Sequence, residues 1–120
     1  MCGIYCSNIS DLKNGLLGES LLRSRGPDCL SKINIEQFHL SHSLLSITGD
    51  LKLQPFTKKN IVCLYNGEIY NYKDFAPFDA FGDLKDDYES DGECIIDAYI
   101  SKGSDFVKYL DGEFALVLYD

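Results

Sequence analysis

No stretch of this chain is apolar for anything near the ~20 residues that a membrane-spanning helix requires. It also lacks the cation excess that phosphate binding needs. Among 120 residues, 11 Lys and Arg face 19 Asp and Glu, for a net charge of −8. Neither a membrane nor a nucleic acid is therefore expected as a partner. There is no tryptophan, no internal repeat and no low-complexity linker. The N-terminus, Met1-Cys2-Gly3-Ile4-Tyr5-Cys6, has no basic patch followed by an apolar core, so no secretory signal is read there. Five cysteines form no Cys-x-x-Cys pair and leave one over in any pairing. A disulfide framework and a four-thiolate zinc site are both disfavoured. A reduced, cytoplasmic setting follows. His39 and His42 have no further metal ligand nearby in sequence, so no metal is expected. What remains is 45% apolar and 25% charged, ordinary for one soluble globular domain.

The patterning predicts an α+β chain. Gly3 to Cys6 reads as a short buried strand. Ser10-Asp11 offers a helix start, and Leu16, Leu17, Leu21 and Leu22 put one apolar stripe on a helix over Asp11 to Arg25. Gly26-Pro27 ends it, since proline cannot continue the ladder. Strands are expected over Ile33 to Phe38 and Phe38 to Ile47, with Thr48-Gly49-Asp50 as a break. Ile61 to Tyr65 is a continuous apolar strand running into Asn66-Gly67, a strong turn signal. Residues 71 to 89 read as irregular loop with a short helix. Ser90-Asp91-Gly92-Glu93 has the spacing of a capping box, followed by helical spacing of Ile95, Ile96, Tyr99 and Ile100 up to Lys102-Gly103. Phe106, Val107 and Leu110 suggest another short helix. Asp111-Gly112 is a turn, and Phe114 to Tyr119 a final strand. That strand has no polar tail, so the chain reads as cut rather than finished.

Cys63 and Cys94 sit in apolar runs and read as small buried hydrophobes. Cys2 differs by position. Removal of Met1 would leave a residue carrying both a thiol and a free α-amine, whose reference pKa is roughly 7.7–8. Such an amine beside a nucleophile can serve as its base. The alternative is an incidental cysteine at a frayed terminus.

Taken together, Met1-Cys2-Gly3-Ile4, Arg25-Gly26-Pro27-Asp28, Tyr65-Asn66-Gly67-Glu68-Ile69-Tyr70-Asn71, Ser90-Asp91-Gly92-Glu93 and Leu110-Asp111-Gly112-Glu113-Phe114-Ala115 resemble the glutamine amidotransferase domain of asparagine synthetases. This is the class II amidotransferase group of the N-terminal nucleophile hydrolases. The resemblance covers Cys2 to Asp120. It implies a four-layer αββα sandwich of two antiparallel sheets, with residues 1–120 forming the N-terminal part of that domain. It also implies hydrolysis of the glutamine side-chain amide to glutamate and ammonia. In longer relatives a C-terminal synthetase domain or partner subunit uses the ammonia. ATP and Mg belong to that part, and no phosphate loop of its kind occurs here, so no cofactor is expected in these residues.

The same resemblance assigns roles. Cys2 is the nucleophile. The Asn66 side chain and the Gly67 N–H form the oxyanion hole. Glu68 and Asp91 hold the α-ammonium of glutamine, Arg25 lies near the nucleophile and positions it, and Ile47 contacts substrate through its backbone. One departure stands out. In His42-Ser43-Leu44-Leu45-Ser46-Ile47, Leu44 occupies the place of the arginine that pairs with the glutamine α-carboxylate. Leucine cannot supply a charge-assisted bidentate bond. The alternatives are an active glutaminase using another cation, with Arg23 and Arg25 nearest in sequence, an impaired or regulatory domain keeping the fold, and a nonfunctional fragment.

Overall fold

A computed structural model describes residues 2–8, 12–46, 52–76 and 88–120. The expected helix start at Ser10-Asp11, the break at residues 48–50, the substrate contact of Ile47 and most of the acidic loop lie outside them. The chain forms two compact units, residues 1–66 with 115–120, and residues 67–114.

The first unit is built on a sheet of β1 (Gly3–Asn8), β3 (Phe38–Leu44) and β2 (Cys29–Ile35), with β3 in the middle and every pair antiparallel. Central β3 is almost wholly buried, whereas β1 is an edge strand with only Gly3 buried. The buried strand expected at the N-terminus is thus half exposed, because an edge has one neighbour to cover it. The strand expected over Ile33 to Phe38 is also corrected. β2 starts at Cys29, and Glu36, at φ +49, turns the chain with Gln37 before β3 begins.

Helix α1 (Leu12–Leu22) lies against β1 and β3. Its leucine stripe does not face the sheet: Leu16, Leu17 and Leu21 are exposed, Leu21 by 68%. The line turned toward the sheet is Gly18, Glu19 and Leu22, of which Glu19 is buried and the other two half-buried. Gly18 lies against the Tyr5 ring so closely that a Cβ would meet it at 2.3 Å, and Leu22 covers Gly3. Glu19 is buried and reaches His39 Nε2 at 2.5 Å and Lys32 Nζ at 3.6 Å. Close approach of helix to sheet at a small residue set the contact face, and leucine spacing did not.

The second sheet has the order β4 (Phe56–Lys58), β5 (Ile61–Ile69), β6 (Gly112–Tyr119). The short strand β4 was not foreseen. It pairs antiparallel with β5 from Phe56 opposite Cys63 to Lys58 opposite Ile61. Within the first unit the sheets meet where the Phe38 and Tyr119 rings pack with centroids 5.8 Å apart, and where the Ser31 hydroxyl donates to the Gln54 carbonyl. Leu40, Cys63 and Leu64 are fully enclosed, and burying a leucine of this kind contributes roughly 1.5–3 kcal/mol. Helix on sheet on sheet is the α+β sandwich expected.

The second unit holds the ends of β5 and β6, 3-10 turns at Tyr72–Phe75, Asp91–Glu93 and Gly103–Tyr109, and helix α2 (Cys94–Lys102). Helix α2 buries Cys94, Ile95, Ile96 and Ala98 and ends at Gly103, whose φ is +66. The expected capping box does not close. Ser90 makes no side-chain cap bond, and the Glu93 carboxylate accepts the Glu89 N–H at 3.0 Å instead. The element around Phe106 is a 3-10 turn, with Phe106 packed edge-on to Tyr99 at 5.8 Å and Val107 exposed. No described helix is long and apolar enough to cross a membrane.

Candidate active site

Three sequence segments converge at the open end of the first sheet. Cys2 immediately precedes β1, Arg25 follows α1, and Leu44 and Leu45 close β3. The register that pairs Gly3 with Ser43 carries Cys2 to the level of Leu44. The Leu45 N–H points at Cys2 Sγ, 3.4 Å away, and the thiol faces the Leu45 carbonyl at 3.8 Å. Arg25 Nε donates to the Cys2 carbonyl at 3.4 Å. Arg25 is thus brought to Cys2.

The intervening residues explain why this corner is firm. Gly26 is buried, and a Cβ there would lie 2.1 Å from the Ser43 carbonyl oxygen. Ser43 Oγ donates to the Gly26 carbonyl at 2.7 Å. Asp28 donates its N–H to the Leu44 carbonyl at 3.0 Å, and its Oδ2 accepts the Ser46 N–H at 2.7 Å. The Arg-Gly-Pro-Asp segment is laced to the end of β3 by one main-chain bond and two side-chain bonds, an approach that a side chain at position 26 would prevent. Leu44 itself is only 8% exposed.

Asn66 belongs to the same unit, on β5. The hairpin turn expected at Asn66-Gly67 is absent, and β5 runs through both residues. Gly67 takes φ +149, a conformation side chains disfavour, and a Cβ there would meet the Glu113 carbonyl at 2.1 Å. Glycine is needed for close approach of β6 rather than for a turn.

Glu68 and Asp91 lie in the second unit and are brought near each other. Glu68 is an exposed residue of β5, and Asp91 Oδ2 accepts the N–H of the next residue, Ile69, at 2.7 Å. Asn71 ties the same region together. Its Oδ1 accepts the Asp111 N–H at 2.8 Å, its Nδ2 donates to the Tyr109 carbonyl at 2.9 Å, and Tyr70 N–H donates to the Asp111 carbonyl at 2.7 Å. The expected turn at Asp111-Gly112 is therefore the entry into β6, held against the end of β5.

Of the other thiols, Cys63 and Cys94 are fully buried. Burial, with the Asp91 and Asp97 charges added, pushes the Cys94 thiol up to about 12. Among the described residues no group of three or more His, Cys, Asp and Glu side chains is placed to hold a metal. Sequence reading missed Gln54, a buried side chain between the sheets. Its one signal was the following proline, which removes a ladder donor at the head of β4.

A family model described as a glutamine amidotransferase domain matches residues 1–120, and the chain belongs to that family. It is 38% identical to an asparagine synthetase [glutamine-hydrolyzing] of Asparagus officinalis and 34% identical to a probable asparagine synthetase [glutamine-hydrolyzing] of Dictyostelium discoideum, each match covering 100% of this chain. It is also 34% identical, over 93% of its length, to the amidase chyE of Penicillium rubens. The chain spans 22%, 23% and 17% of the lengths of these three relatives.

Proposed function

We propose that these residues hydrolyse the side-chain amide of glutamine and release ammonia for an asparagine synthetase-like amidation. The observation that carries this reading is the Cys2 thiol held against the Leu45 N–H, with Arg25 on the Cys2 carbonyl. An amide is a weak electrophile, so it needs a strong nucleophile and a stabilised oxyanion.

Once Met1 is removed, the Cys2 amine takes the thiol proton and the sulfur bonds to the amide carbon. The oxyanion that forms accepts hydrogen bonds from the Asn66 side chain and the Gly67 N–H. The tetrahedral species collapses by breaking the carbon–nitrogen bond, and the amine returns its proton to the departing ammonia. Water then cleaves the thioester to glutamate and restores the thiol. Glu68 and Asp91 supply negative charge for the substrate α-ammonium, and Ile47 contacts the substrate through its backbone. Leu44 cannot receive the α-carboxylate, and Arg25, beside Cys2, has terminal guanidinium nitrogens for that role. The ammonia passes to a synthetase domain or partner subunit, where ATP and Mg act. The setting is cytoplasmic, and this domain uses no cofactor.

The test uses a diazo-ketone analogue of glutamine and peptide mapping. Cys2 is labelled first, Cys63 and Cys94 stay unlabelled, and intact mass shows Met1 gone. Labelling spread evenly over all five cysteines, or a retained Met1, refutes the nucleophile assignment.

A further inference from the structure

Gln54 joins the two sheets of the first unit with its two carbonyls. The β4–β5 ladder stops at Phe56 opposite Cys63. Continuing that register puts residue 54 opposite Tyr65. The Gln54 main-chain carbonyl is turned away from β5 and accepts the Ser31 hydroxyl of β2. Its side-chain Oε1 takes the vacated place and accepts the Tyr65 N–H at 2.7 Å. Gln54 is 8% exposed and Tyr65 4%, so the bond between them lies away from water, where losing an acceptor is costly, while the Ser31 bond is part-buried.

The two linked strands lead to the two halves of the chemistry. Ser31 is opposite His42 on β3, within the sheet whose open end holds Cys2. Tyr65 immediately precedes Asn66. We propose that Gln54 is a positioning residue for amide hydrolysis, its side-chain carbonyl fixing β5 at Tyr65 so that Asn66 is held at a set distance from the sheet carrying Cys2. This rests on the glutaminase reading given above. Catalytic donors lose effect on displacements of about 1 Å, so a tie one residue away bears on the rate while leaving the nucleophile itself intact.

The experiment compares glutamine hydrolysis by the intact protein with its Gln54→Leu, Gln54→Glu, Asn66→Ala and Gln54→Leu/Asn66→Ala variants. Cys2→Ala serves as the control for the reading itself. Iodoacetamide alkylation of Cys2 is followed in parallel, because it forms no oxyanion. Gln54→Leu should lower kcat about tenfold or more with KM little changed, against the roughly 10²–10³-fold expected for an oxyanion donor. Cys2 alkylation should stay within about twofold of wild type, and Gln54→Glu, which keeps an acceptor oxygen, should recover most of the rate. On the Asn66→Ala background Gln54→Leu should cost about twofold or less, since two residues acting as a unit are not additive. Equal losses of hydrolysis and alkylation, or full additivity with Asn66→Ala, overturn the proposal. A wild type no faster than Cys2→Ala refutes the glutaminase reading. In that case amide hydrogen exchange decides the tie: faster exchange at Tyr65 and Asn66 in Gln54→Leu than at Gly3 to Cys6 supports it, and uniform exchange overturns it.

Discussion

Lowering the pH should unfold this protein partly through one side chain, His42. It is fully buried in β3, with Ile4 of β1 and Ser31 of β2 as its register partners. Neither ring nitrogen has a hydrogen-bond partner among the described residues. Burial lowers its pKa from 6.5 to about 4, because charging the ring would strand a cation away from water. The folded protein therefore resists the proton that the unfolded chain accepts. Between pH 6.5 and 4 the unfolded state binds more protons, and stability is lost as pH falls through that window. A difference of 2.5 pH units corresponds to about 3 kcal/mol in full, and about 2 kcal/mol of it falls between pH 7 and pH 5. Urea unfolding of wild type and His42→Leu at pH 7 and pH 5 isolates this, since carboxylate contributions are common to both. The variant should be about as stable as wild type or slightly more so at pH 7, having removed unpartnered polar atoms from the core. It should exceed wild type by about 2 kcal/mol more at pH 5. An equal pH dependence in the two proteins would refute the argument.

Three further perturbations bear on the site. If Arg25 receives the α-carboxylate, Arg25→Ala should raise the glutamine KM roughly ten- to a hundredfold, while a carboxylate-free amide is affected far less; equal effects on both substrates would remove that role. Should Leu44 instead have left the carboxylate unpaired, Leu44→Arg would lower KM with kcat nearly constant, and unchanged glutamine kinetics in a folded Leu44→Arg protein would leave Arg25 as the cation. Gly26→Ala forces a Cβ to within 2.1 Å of the Ser43 carbonyl. It should cost about 3 kcal/mol or more in chemical denaturation, and a loss under about 1 kcal/mol would mean that this corner yields.

The sequence by itself determined the family, the apolar strands and the residue types of the candidate site. Those signals are local: a cysteine at position 2, Arg25-Gly26-Pro27-Asp28, and the Asn66-to-Asn71 segment can all be read without knowing what lies opposite. The thiols of Cys63 and Cys94 were legible as core for the same reason, since each sits in an apolar run. Tertiary structure decided whatever depends on a neighbour distant in sequence. Asn66-Gly67 has the chemistry of a hairpin turn, yet β6 approaching at Glu113 and Phe114 keeps it in a strand. Leu16, Leu17, Leu21 and Leu22 have helical spacing, yet Gly18 against Tyr5 turns the first three of them outward. Ser90 and Glu93 have capping spacing, yet Glu93 finds the Glu89 N–H and Asp91 the Ile69 N–H. Gln54 carries no local pattern beyond the proline that follows it. Its place follows from a β4 ladder that stops at Phe56 and a main-chain carbonyl taken by Ser31. Periodicity and capping rules score a residue against its own turn or strand. Hydrogen bonds and close packing to other elements carry comparable or larger energies, and where the two disagreed the long-range partner prevailed.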